Sequence, residues 1–158
     1  MNDFMNKAVE LSRDNLKNGY GGPFGACIVK DGVIISLGSN MVLKNNDPTA
    51  HAEVVAIRNA CSKLNTYDLS GCELYTSCYP CPMCLAAIIW SNIKVVYYAN
   101  SKEDASNIGF RDGFIYDYID KLSKGESDDN TLKLERMNID DAIKVFEKFS
   151  ENKDKIIY

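Results

Sequence analysis

The segment His51-Ala52-Glu53 is followed by Pro80-Cys81-Pro82-Met83-Cys84, whose first cysteine lies thirty positions after the histidine, and these two short stretches constrain the fold more than anything else in the chain. One imidazole, two thiolates and a carboxylate spared from coordination are what a catalytic zinc needs: three protein ligands, a fourth position open for water, and a base beside it. Residues at i and i+2 lie on different sides of a helix, so His51 and Glu53 cannot both grip a metal from one lateral face. The metal must sit over a helix end. Asp47-Pro48 predicts such an end near His51, with proline at the first helical position. Cys81-Pro82 repeats the device, Cys81 as cap and Pro82 as first helical residue, so that Cys81 and Cys84 fall on one side of a first turn. Both thiols then meet the positive end of a helix, which favours the metal-binding thiolate.

Two other readings of these residues stay open at this point. Cys78, Cys81 and Cys84 form C-x-x-C-x-x-C, which with Cys72 as a fourth ligand could hold an iron-sulfur cluster, although that leaves His51 and Glu53 without a role. A zinc peptidase would show two histidines on one helix, and this chain has a single histidine. Three protein ligands and an acidified water instead suit hydrolytic attack on an sp² carbon bearing an amine, with Glu53 taking the proton from water and handing it to the leaving group.

At 158 residues the chain is long enough for one domain, 1–158, around a single core. No apolar run approaches the length of a membrane span, and residues 1–22 lack a signal-peptide core, so a cytoplasmic protein with no membrane partner is expected. A reducing cytosol keeps thiols available for metal. Cys27 and Cys61 read as small buried apolar residues. The net charge is −4 and no Lys/Arg stripe appears, which argues against a nucleic-acid partner and for a small substrate.

Periodicity predicts a helix carrying Phe4, Ala8, Leu11 and Leu16, closed near Gly19. Two strands, 26–30 and 33–41, are joined by the hairpin signal Asp31-Gly32. A helix over about 49–64 buries Val54, Ile57, Cys61 and Leu64. Strand 72–78, helix 82–91 and strand 93–99 make a right-handed parallel crossover. A helix over 114–122 and a strand over 131–137 follow. The last helix has Asn138 as cap and Ala142, Val145, Phe146 and Phe149 on one face. The sum is an α/β fold, a three-layer α/β/α sandwich with a mixed central sheet.

The H-x-E and P-C-x-x-C combination is the signature of zinc deaminases of bases, and the chain resembles the cytidine deaminase-like superfamily. Within it, Gly21 to Ala26, Asn46 to Glu53, Thr76 to Cys78, Pro80 to Leu85, Trp90, Gly109 to Tyr116 and the terminal Tyr158 resemble the bacterial guanine deaminases. The resemblance implies one zinc per chain on His51, Cys81 and Cys84, with Glu53 as proton shuttle and Asp112 as a second shuttle toward the amino group. It implies substrate contacts from Phe24, Asn40, Trp90 and Tyr158. It also implies a homodimer that exchanges C-terminal segments, about 138–158, so that Tyr158 closes the partner's site. The expected reaction is guanine to xanthine and ammonia. Without the resemblance, Phe24 and Trp90 read as core, Asn40 as a strand-end turn residue and Asp112 as a solvated carboxylate.

One departure stands out. The family usually has Glu where this chain has Tyr79, beside the site but not among its ligands. A tRNA adenosine deaminase shares the metal motif, yet would need a basic face and room for a flipped nucleotide; it commonly has His where this chain has Trp90.

Overall fold

The computed structural model describes residues 3–158, which fall into two compact units, one ending at Ile115 and one over Tyr116–Tyr158. In the first, α1 (Asp3–Asn18) precedes β1 (Gly25–Lys30) and β2 (Val33–Ser39); then come α2 (Val42–Asn45), α3 (Ala52–Leu64), β3 (Cys72–Cys78), α4 (Pro82–Trp90), β4 (Val95–Asn100) and α5 (Lys102–Asn107). The sheet order is β2-β1-β3-β4. β1 runs antiparallel to both β2 and β3, and β4 runs parallel to β3, so the sheet is mixed and β3-α4-β4 is the expected crossover.

Alternation along the strands sorts side chains into two layers. Ala26 and Ile28 of β1 and Leu74 of β3 meet Ala52, Ala56 and Ala60 of α3 and Ile88 of α4. On the opposite face Cys27, Val29 and Tyr75 meet Phe4 and Met5 of α1. This is the three-layer α/β/α arrangement. The centre of the α3 stripe is its alanines, whose small side chains let the helix lie close to the sheet, while Ile57, Cys61 and Leu64 flank the core half-buried. On α1, Leu16 is exposed and its neighbour Asn15 is buried instead.

Three expectations are corrected. The helix carrying Glu53 does not start at Asp47-Pro48: the Asp47 carboxylate is engaged locally by the Thr49 amide at 2.8 Å and hydroxyl at 2.6 Å, and the cap is His51 in extended conformation. α5 was not anticipated, although Ser101 and Asp104 form a capping box at its start. No strand forms over 131–137. The second unit contains α7 (Asp140–Glu151) and most of α6 (Gly113–Ser123), and among its described residues no strand exists to complete a ladder. The Thr131 and Leu132 amides turn back to the Asp128 carbonyl instead, and Lys121 pairs with Asp128 at 2.6 Å. The cap of α7 is Ile139 rather than Asn138. Its apolar face is real, but within one chain Val145, Phe146 and Phe149 are exposed.

Candidate active site

Two helix starts converge on one point. His51 caps α3 and Cys81 caps α4, both with extended backbone, and Pro82 occupies the first turn of α4. His51 Nδ1 lies 3.5 Å from Cys81 Sγ and 3.6 Å from Cys84 Sγ. A tetrahedral zinc with bonds of about 2.3 Å to sulfur and 2.0–2.1 Å to nitrogen spans an N to S edge of about 3.5 Å, so the donors already stand at a metal's spacing. Their type and number match a catalytic site with one open position. Among the described residues, His51, Cys81 and Cys84 are the group that can hold a metal ion. Cys72 belongs to the apolar core and Cys78 donates to the Ser101 carbonyl at 3.5 Å, so the four-cysteine cluster does not assemble.

Glu53, the second residue of α3, is buried, 6% exposed. Thr76 Oγ1 donates to Glu53 Oε1 at 3.0 Å, and Cys84 Sγ donates to Oε2 at 3.4 Å. Burial pushes the Glu53 carboxyl above its ordinary range, opposed by these hydrogen bonds. The two thiols are electrostatically unlike. The Cys84 thiol, then the His51 ring, stabilise charge on Cys81 and hold it at about 4, while the adjacent Cys81 and burial push Cys84 up. The closely spaced sulfurs do not both carry charge without a cation between them. His51 in turn is raised, chiefly by its contact with Cys81.

The cluster opens into a cavity of about 550 Å³, also lined by Phe24, Asn40, Glu53, Tyr79, Phe110 and Asp112. Phe110 meets Phe24 edge to face, centroids 4.9 Å apart. Gly22 permits this corner, since a Cβ there would stand 2.7 Å from the Phe110 ring and 2.8 Å from that of Phe24. Asn40 is buried, and its Oδ1 accepts from the Val42 amide at 3.1 Å. Asp112 is half-buried and acts on His51 through its charge. Tyr79 packs edge-on against Tyr98 at 5.0 Å and carries Lys102 Nζ over its ring at 4.5 Å.

The structure thus brings together His51, Glu53, Cys81, Cys84, Phe24, Asn40 and Asp112. Trp90 stands apart: it ends α4, the helix whose first turn holds the cysteines, and at 67% exposed it does not line this cavity. Tyr158 is exposed in the second unit. Sequence reasoning assigned no role to Thr76, Phe110 or Lys102. The signals for Thr76 were its place in a strand, two residues before Cys78, and its presence in a segment that carries the resemblance.

Fold and site together define a zinc-dependent deaminase, and residues 1–100 match the cytidine and deoxycytidylate deaminase zinc-binding region; the chain belongs to that family. It is 58% identical over 118 residues to a guanine deaminase of Bacillus subtilis (strain 168), an alignment covering 75% of this chain and 76% of that protein. The crystal structure of guanine deaminase from Bacillus subtilis superposes with a TM-score of 0.91 at 46% identity, covering 100% of this chain and 99% of that one. A tRNA-specific adenosine deaminase of Aquifex aeolicus (strain VF5) is 52% identical over 82 residues, but these make up only 51% of this chain and 54% of that protein.

Proposed function

We propose that this protein is a zinc-dependent aminohydrolase converting guanine and water to xanthine and ammonia. The observation that carries this reading is a three-ligand metal cluster flanked by Glu53 and Asp112 in a cavity walled by Phe24, Phe110 and Asn40. The extended similarity to a guanine deaminase supports it. A net charge of −4 favours a small base over tRNA.

His51, Cys81 and Cys84 would hold the zinc, which when bound supplies Lewis acidity and an acidified water. Glu53 accepts the proton of the attacking water and returns it to the base. Thr76, bonded to Oε1, leaves Oε2 on the cysteine side for that transfer. Asp112 carries the remaining proton of the added hydroxyl to the exocyclic amine, so that the carbon–nitrogen bond breaks, ammonia leaves and the oxygen stays as the new carbonyl. Phe24 offers a stacking face. With Oδ1 engaged by Val42, the Asn40 amide has its Nδ2 hydrogens to offer a purine acceptor.

We infer further that the enzyme is a cytoplasmic homodimer exchanging C-terminal segments, with Tyr158 completing the partner's cavity. Supporting this, Phe146 at 74%, Ile157 at 73% and Tyr158 at 81% are exposed in a single chain, more apolar surface than a terminus ordinarily presents to water. Trp90 does not line the cavity of its own chain.

The test is ammonia release from guanine, guanosine, cytosine, adenine and a tRNA anticodon stem-loop. Guanine alone is expected to react at an enzymatic rate. Ammonia from the stem-loop and none from guanine overturns the reading.

A further inference from the structure

Asn15 sits on the sheet-facing side of α1, 1% exposed, where the spacing 4, 8, 11, 15 calls for an apolar residue. Its Nδ2 donates to the Gly22 carbonyl at 2.7 Å and to the Asn40 carbonyl at 2.9 Å. Two acceptors around one nitrogen fix which way the amide points. Its Oδ1 is buried without a hydrogen-bond partner, a cost of about 1–3 kcal/mol for a lone polar atom. A side chain serving packing alone would be apolar here. The amide instead closes two main-chain acceptors, one buried at Asn40 and one half-buried at Gly22.

Those carbonyls belong to the two segments that wall the cavity. The Phe24 amide bonds the Gly22 carbonyl at 2.8 Å, and the Asn40 amide bonds the Phe24 carbonyl at 3.1 Å. Met41 continues to the Ala50 carbonyl at 2.9 Å, immediately before His51. Ser12, one turn earlier on α1, donates to the Pro23 carbonyl at 2.5 Å. Gly21 lies directly on the Asn40 amide, since a Cβ there would overlap Asn40 Oδ1. The stacking wall, the Asn40 amide and the metal-bearing turn are thus tied in series through the main chain, and the Asn15 side chain, outside the cavity, adds a second tie between the first two.

We propose that Asn15 is a positioning residue for substrate recognition: by clamping Gly22 to Asn40 it sets the separation between the Phe24 ring and the Asn40 amide. This rests on the reading that those two groups bind the base. Displacement of either by a fraction of an ångström weakens binding, whereas His51, Glu53, Cys81 and Cys84 are held by α3, α4 and β3 without it.

The experiment compares zinc-loaded full-length wild type with Asn15→Asp, which keeps shape but turns acceptors toward the carbonyls, and Asn15→Ala, which only removes the donors. Ser36→Ala is the control: Ser36 is also buried and donates to a carbonyl, that of Ala56 at 2.7 Å, away from the cavity. Both Asn15 variants are expected to raise KM for guanine tenfold or more, with kcat within threefold and zinc content unchanged. Ser36→Ala should lower Tm and leave KM within twofold. Asn15 variants with KM within twofold of wild type, or with kcat and zinc falling together, overturn the proposal. So does failure of both to fold, which makes the residue purely structural. Wild type without guanine turnover overturns the substrate reading first, and is told apart because no variant is needed to see it.

Discussion

The hydroxyl of Thr76 donates to Oε1 of Glu53 at 3.0 Å, in the interior, from the α3-facing side of β3 to the first turn of α3. The Glu53 carboxylate is therefore aimed by a strand, not by the helix it grows from. Glu53→Gln should keep one zinc per chain and lower turnover by 10²-fold or more, the usual scale of acid–base catalysis. Thr76→Val should keep the metal and cost about tenfold, with Thr76→Ser close to wild type. Metal analysis and steady-state kinetics check both; near-normal turnover in Glu53→Gln removes the shuttle assignment.

Asp112 borders the same cavity half-buried. If it carries a proton toward the amine, Asp112→Asn lowers kcat tenfold or more with a smaller change in KM. An unchanged kcat returns it to the role of a loop carboxylate.

The unlike thiols predict an order of labelling. With zinc stripped by chelation, activity is lost, and iodoacetamide at neutral pH should modify Cys81 first, because its thiolate is stabilised down to about 4. Buried Cys84, pushed up, should follow later. Zinc should protect Cys81 and restore activity. Peptide mapping that finds equal rates for the two counts against the geometry described.

The C-terminal segment can be tested in trans. Subunits carrying His51→Ala keep a sound tail, and subunits ending before Lys155 keep a sound metal site; each homodimer should be inactive. Refolded together, they should regain activity through heterodimers with one complete site. Verified heterodimers that stay inactive exclude the exchange.

Cys27 supplies a pH dependence of stability. Burial raises its thiol to about 11, above the unfolded value of about 8.5. From about pH 8.5 to 11 the unfolded chain binds fewer protons than the folded one, so the stabilisation is present below that window and is lost as pH rises through it. Denaturant melts at pH 8 and 10.5 should therefore show a difference between wild type and Cys27→Ala that shrinks at the higher pH, by on the order of 1–2 kcal/mol. A constant difference refutes it.

How far the chain could be read in advance follows the range of the interactions involved. His51, Glu53, Cys81 and Cys84 were legible because ligand type and short spacing are local properties, and proline after Cys81 marks a helix start within a few residues. The hairpin at Asp31-Gly32 and the β3-α4-β4 crossover were legible for the same reason. Strand 131–137 was misjudged because a strand exists only with a partner, which alternation in one segment cannot reveal. Hydrophobicity places Leu16 on the stripe of α1 and gives no sign of Asn15, a buried amide whose acceptors lie at Gly22 and Asn40. Thus the sequence by itself determined the metal chemistry, the order of elements from α1 to β4 apart from the short α2, and the family. Only the tertiary structure decided that Thr76 aims Glu53, that Phe110 corners Phe24, that Asn15 ties the cavity wall and that Trp90 lies outside it. Those relations depend on strand register and helix docking between residues far apart in the chain, which no local pattern encodes.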